Sequence, residues 1–191
     1  MAMPASRAEA ERWTVDMLDA LPDDGNRYEI IDGELLVTPA PSYLHQRVVL
    51  VLASRLEEYL RPTSAARVVT SPSDVRRPDR DKNKVQPDVF VVRLTDGRYP
   101  PYPFELTDLL LAIEVSSPSN RQDDYQTKRD LYLRSGVPEY WILDAEARTA
   151  ARWRTAADPG ELLTERVEWQ PVGVDHALVI DLPQVFNDAL G

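Results

Sequence analysis

The chain of 191 residues contains no cysteine. That rules out disulfides and thiolate metal sites and leaves oxygen and imidazole donors for any bound ion. Hard cations such as Mg²⁺ or Mn²⁺ suit such donors. Long apolar runs are missing too: nothing approaches the roughly 18 consecutive apolar residues of a membrane span. Residues 1–13 carry charges where a secretory leader needs an apolar centre. A soluble, cytoplasmic protein with no membrane partner is the expectation. Positive charge is in deficit, with 22 Lys and Arg against 32 Asp and Glu, net −10. Such a chain is poorly suited to coating nucleic acid by charge alone. The deficit is uneven: residues 76–98 hold seven basic and four acidic side chains, residues 145–191 four basic and eight acidic. Lysine is the scarcest cation, with Lys82, Lys84 and Lys128 set against 19 arginines.

What is present reads as a globular α/β chain. Hydrophobic residues at 43% and charged residues at 28% are ordinary globular usage. The length fits one domain, 1–191, with an N-terminal extension over 1–24 and a β-rich embellishment over 145–191. Residues 14–21 predict a short helix stopped by Pro22. Tyr28-Glu29-Ile30-Ile31 and Glu34-Leu35-Leu36-Val37 flank Asp32-Gly33, a dipeptide suited to a type I′ hairpin turn. Ser42 is placed to cap a helix in which Leu44, Val48, Leu52, Leu56 and Leu60 recur every fourth residue before Pro62.

Strands are expected over 67–70 and 85–92, joined by a polar loop carrying Arg76, Arg77, Arg80 and Lys82. The nearly continuous apolar run 109–115 has the pattern of a central strand covered on both faces. A helix over 123–134, with Tyr125, Leu131, Tyr132 and Val137 facing inward and Gly136 as its stop, leads to a buried strand at 140–143. This βαβ-like unit implies a mixed sheet with helices packed on it. Residues 149–154, 163–169 and 177–182 predict further strands, with turns at Asp158-Pro159-Gly160 and Gly173, before a last short helix.

Glu114 interrupts the apolar run, where an unpaired carboxylate would cost several kcal/mol to bury. Two readings stay open: an exposed strand end or an arginine partner, or ligation of a metal. Asp88 follows Pro87 just before Val89-Phe90-Val91-Val92 and by itself suits a strand-initiating turn. Taken together, the two residues are carboxylates that adjacent strands could bring close, where they repel unless a cation or a proton lies between them.

These residues carry a resemblance. Tyr28-Glu29-Ile30-Ile31-Asp32-Gly33-Glu34, Pro41-Ser42, His45 and Gln86-Pro87-Asp88-Val89 resemble the Uma2 (DUF820) family of the PD-(D/E)xK nuclease superfamily. So do Glu114-Val115-Ser116-Ser117-Pro118-Ser119, Asp124, Lys128, Tyr132 and the run from Gly136 to Asp144. The resemblance implies a restriction-endonuclease-like mixed β-sheet core flanked by helices, with extra C-terminal strands. It further implies an Mg²⁺- or Mn²⁺-dependent endonuclease acting on nucleic acid, with DNA expected. Asp88 and Glu114 would hold the ion with the backbone carbonyl of Val115.

The superfamily motif places its lysine two residues after the glutamate, a position held here by Ser116; the family supplies it from the next helix, as Lys128. In so lysine-poor a chain, a position where any cation would serve is more often arginine, although an ordinary i,i+4 pair with Asp124 is the simpler alternative. Glu34 and His45 are secondary site candidates. His45 lies in a first helical turn, whose dipole favours the neutral ring. The rival readings are a non-catalytic module that binds nucleic acid or protein on the same fold, and metal-free carboxylate-pair glycosidase chemistry. Trp153 and Trp169, taken as exposed, are candidates for a homodimer interface or for covers over one end of the sheet.

Overall fold

The computed structural model describes residues 12–77, 81–116 and 123–191. Arg80 of the polar loop, Ser117-Pro118-Ser119 of the motif and residues 1–11 of the N-terminal extension lie outside the described residues. A short helix α1 (Val15–Asp19) opens the described chain, its N-terminus capped by Thr14, which accepts from the Met17 amide at 3.3 Å. The hairpin follows as β1 (Arg27–Ile31) and β2 (Glu34–Thr38). Asp32 and Gly33 between them take φ of 53° and 84°, the positive pair that a type I′ turn demands. Ser42 caps α2 (Tyr43–Leu60) by accepting from the His45 amide at 3.2 Å. The four-residue repeat then buries Val48, Leu52, Leu56 and Leu60 completely.

Strands β3 (Ala66–Thr70), β4 (Val75–Arg76), β5 (Lys84–Val85), β6 (Val89–Arg93) and β7 (Phe104–Glu105) lead through a 3₁₀ turn at Leu106–Asp108 into β8 (Leu109–Ser116). Helix α3 has two parts, a π-helical turn Asp123–Lys128 and an α-helical turn Arg129–Arg134, and β9 (Tyr140–Asp144) follows it. The chain closes with β10 (Thr149–Trp153), β11 (Glu161–Leu163), β12 (Arg166–Trp169), β13 (Leu178–Asp181) and α4 (Leu182–Leu190).

The central sheet has six strands in the order β11-β10-β9-β8-β6-β3, with β8 parallel to β9 and the other pairs antiparallel. The hairpin belongs to a second sheet, β2-β1-β5-β4-β7, and β12 pairs with β13. Every residue of β8 is buried, as its unbroken apolar pattern predicts for a strand covered on both faces. Alternation sends Ile113, Val115, Val89 and Val91 to the side covered by α2 and α4. Ala112, Phe90 and Val92 go to the other side, with Ile31 of the hairpin and with Leu131 and Tyr132 of α3.

Three expectations are corrected. The strand expected over 85–92 is two strands in different sheets, because Pro87 has no amide to donate to a ladder and the chain crosses between sheets there. The strand expected over 163–169 is likewise split by a bend at Thr164 and Glu165, where the Glu165 carbonyl accepts from Leu182 instead of a neighbouring strand. Trp153 and Trp169 are buried, at 5% and 3% exposure, so neither offers a surface to a second copy. Trp169 packs against Tyr59 and Trp141. Trp153 stacks on Tyr140 at 6.0 Å, and Tyr140 stacks on Tyr132 at 5.0 Å.

The turn at Asp158-Pro159-Gly160 closes over that ladder. Gly160 has φ of 88°, and a Cβ there would stand 2.6 Å from Trp153 Cε2. Replacing Gly160 with alanine should therefore lower stability by about 1–3 kcal/mol, seen as an earlier urea midpoint at unchanged slope. A midpoint equal to that of the parent chain would show that Trp153 gives way freely.

Candidate active site

Asp88 sits where the chain passes from the hairpin sheet to the central sheet, one residue before β6. Val89 pairs with Ile113 and Phe90 with Ala112, so one step further along this register Asp88 stands across from Glu114. Parity puts both side chains on the face that carries Phe90 and Ala112, towards the hairpin and α3. Asp88 Oδ2 accepts the Val115 amide at 2.9 Å, and Oδ1 accepts Arg27 Nη1 at 2.8 Å. His45 Nε2 lies 3.3 Å from the same Oδ1. Glu114 is fully buried; its Oε1 accepts from Tyr132 Oη at 3.1 Å and from Lys128 Nζ at 3.2 Å.

Lys128 ends the π-helical turn and reaches back to β8. Its ammonium lies 2.8 Å from Glu29 Oε2, 3.2 Å from Glu114 Oε1 and 3.8 Å from Asp124 Oδ1. The i,i+4 pair with Asp124 exists, but it is the longest of the three, and all three carboxylates are buried. Ser116, at the position of the superfamily lysine, is buried too, and its Oγ makes no hydrogen bond among the described residues. The ammonium thus comes to Glu114 from the neighbouring element.

The structure brings Asp88, Glu114, Val115, Lys128 and His45 together. It does not bring Glu34, which lies opposite Ile31 at the turn end of the hairpin and is exposed. Glu29 takes the place expected of it, and Arg27, two residues earlier on the same face of β1, joins the cluster. The alternation Arg27, Glu29, Ile31 is the signal that could have found them, since a strand face that ends in a core isoleucine carries its charges inward as well.

Two permanently charged cations, Arg27 and Lys128, stand among four buried carboxylates, and the charge is shared unevenly. Burial pushes the Asp88 carboxyl up, but the hydrogen bond to His45 and the charge of Arg27 outweigh it and hold Asp88 well below its usual range. Burial drives Glu114 well above its usual range; Lys128 opposes this, and Asp88, Asp124 and Glu29 add to the rise. Asp124 is pushed up to about 7, again chiefly by burial. Burial would lower the Lys128 ammonium, but the surrounding carboxylates, Glu114 foremost, hold it above its usual value. The two facing carboxyls are thus pushed in opposite directions, Asp88 down and Glu114 up.

Glu114 Oε2 and both Asp124 oxygens are buried without a hydrogen bond among the described residues. Among those residues no group of three or more His, Asp or Glu side chains is already arranged around a metal position. The oxygens that could take a cation are those of Asp88 and Glu114, with the backbone of Val115 between them. The cluster is short of positive charge, so removing Lys128 should be severe. Lys128→Met is expected to reduce stability by about 3–5 kcal/mol in denaturant titrations without added metal. A change below about 0.5 kcal/mol would mean that the cluster does not depend on the ammonium.

A family model described as Uma2, putative restriction endonuclease, matches residues 15–189. Among solved structures, a putative nuclease belonging to DUF820 from Anabaena variabilis ATCC 29413 aligns with a TM-score of 0.74 at 20% identity, covering 93% of this chain and 99% of that one. At that identity the likeness concerns the fold. No curated protein matches the sequence.

Proposed function

We propose that this chain, which belongs to the Uma2 family, is a metal-dependent nuclease that hydrolyses phosphodiester bonds of nucleic acid, DNA in the first instance. The observation that carries the reading is the buried carboxylate cluster at the junction of the two sheets, with four acidic groups against two fixed cations. Such a charge deficit favours uptake of a cation. The donor set is oxygen only, which favours Mg²⁺ or Mn²⁺. Asp88 and Glu114 would hold the ion through their carboxylates and Val115 through its carbonyl. A divalent ion held there supplies Lewis acidity towards a phosphoryl oxygen and an attacking water.

The chain's own groups do the rest. The Val115 amide and Arg27 fix the Asp88 carboxylate, so its oxygens need no reorganisation when charge builds up. Tyr132 fixes Glu114 from the other side, and Tyr140 and Trp153 stack behind that ring. Lys128 offers positive charge for the attacking oxygen or the phosphate oxygens. His45, less deeply buried, meets Asp88 through Nε2 and lines the adjoining cavity, where its other ring nitrogen would face a phosphate oxygen or a water.

A second reading, a non-catalytic binding module, draws on the way that Arg27 and Lys128 already engage Asp88 and Glu114. Labelled DNA incubated with Mg²⁺ separates the two. Asp88→Asn, Glu114→Gln and Lys128→Met should each slow cleavage by about 100-fold or more, while His45→Ala, which removes a hydrogen bond to a charged group, should slow it by roughly 10- to 100-fold. Full cleavage by Asp88→Asn or Glu114→Gln would overturn the nuclease assignment. Metal-independent binding with no cleavage by the parent chain would favour the module.

A further inference from the structure

Beside the carboxylate cluster lies a cavity of about 800 Å³ that the proposed chemistry leaves unexplained. Its walls come from the end of α1, from β1, from residues 39–41, from one stripe of α2 and from residues 70–72. Arg27 and His45 line it, and both also touch Asp88, so the cavity and the candidate site share a wall. The cluster itself does not open there: Glu114, Lys128 and Asp124 are buried and are not among the lining residues. Along α2 the wall changes character within two turns, from His45 and Gln46 to Val49, Leu50 and Ala53. Tyr28, Pro39 and Pro41 add further apolar surface. Leu50 is 55% exposed on that wall.

We infer that this cavity binds one unstacked nucleotide of a single-stranded substrate, with its phosphate at Arg27 and His45 and its base on the apolar wall. The orientation rests on the nuclease reading of Asp88. The size lies within the range of small-molecule pockets, and a wall that is cationic at one end and apolar at the other matches a nucleotide's two halves. The acidic groups facing the cavity fit this polarity. Asp19 is neutralised by Lys84 at 2.6 Å and Arg76 at 3.1 Å, and Asp23, at an exposed edge, suits the amino group of a base better than a phosphate.

The charge pattern also selects against a long duplex, whose binding draws on many phosphate contacts. The chain carries ten more acidic than basic side chains, 32 against 22. A ligand that needs few phosphate contacts and one splayed base suits such a surface better.

Fluorescence anisotropy with labelled DNA and RNA strands of about ten nucleotides and with the matching DNA duplex, all with Ca²⁺ in place of Mg²⁺, tests this. The single strands should bind more tightly than the duplex. Ala53→Trp, which fills the apolar end, and Leu50→Asp, an exposed change, should each weaken binding about tenfold. Val179→Asp, equally exposed at 55% but not part of the cavity wall, should change nothing. If Ala53→Trp fails to fold, Leu50→Asp decides alone. Equal or tighter duplex binding, no binding of single strands, or parental affinity in both cavity variants would overturn the pocket. Mg²⁺-dependent cleavage that survives such a result leaves the nuclease reading standing. Binding that responds to the cavity variants, with no cleavage, would sink the nuclease reading and leave the pocket.

Discussion

A carboxylate with no access to water, in the middle of an apolar strand, is the constraint around which this protein is organised. Glu114 cannot be solvated, so its neighbours must supply what water would have given. Lys128 and Tyr132 do so from the crossover helix, and Glu29 of the hairpin meets the same ammonium. One buried charge thereby fixes β8, α3 and β1 relative to one another. Burying so much charge is a poor way to stabilise a fold, since a well-packed apolar cluster of equal volume is often at least as stable. Its retention at a sheet junction beside a cavity is better explained by chemistry than by stability.

The C-terminal strands contribute to the same end. Trp153 of β10, Tyr140 of β9 and Tyr132 of α3 form a stacked ladder whose last hydroxyl reaches Glu114. Tyr140 also donates to the Asp124 carbonyl at 3.0 Å, tying the π-helical turn that carries Lys128 to the central sheet. A segment rich in acidic residues and remote in sequence from the carboxylates therefore helps to hold their geometry.

Much of this was legible before any coordinates. The hairpin at Asp32-Gly33, the fourfold repeat of α2 and the apolar run of β8 are local signals, and each became the expected element. The scarcity of lysine also carried information: Lys84 and Lys128 are both buried against carboxylates, where a compact ammonium fits. What failed depended on pairing at a distance. Pro87 marks a break within residues 85–92 locally, but which sheet each half joins is decided by pairing, and periodicity is silent on that. Glu29 and Glu34 share one face of the hairpin by register, so alternation marks that face but leaves open which of the two meets Lys128. Trp153 and Trp169, expected as exposed aromatics of the C-terminal strands, both complete the interior.

The central claim is that Asp88 and Glu114, across neighbouring strands, hold a divalent cation for phosphodiester hydrolysis. The most direct measurement is anomalous diffraction from crystals soaked in Mn²⁺. The account predicts one peak between the two carboxylates, within roughly 2.0–2.4 Å of an oxygen from each and close to the Val115 carbonyl. An empty position there, with Lys128 still bonded to Glu114 at high Mn²⁺ concentration or with the ion bound elsewhere, would contradict it.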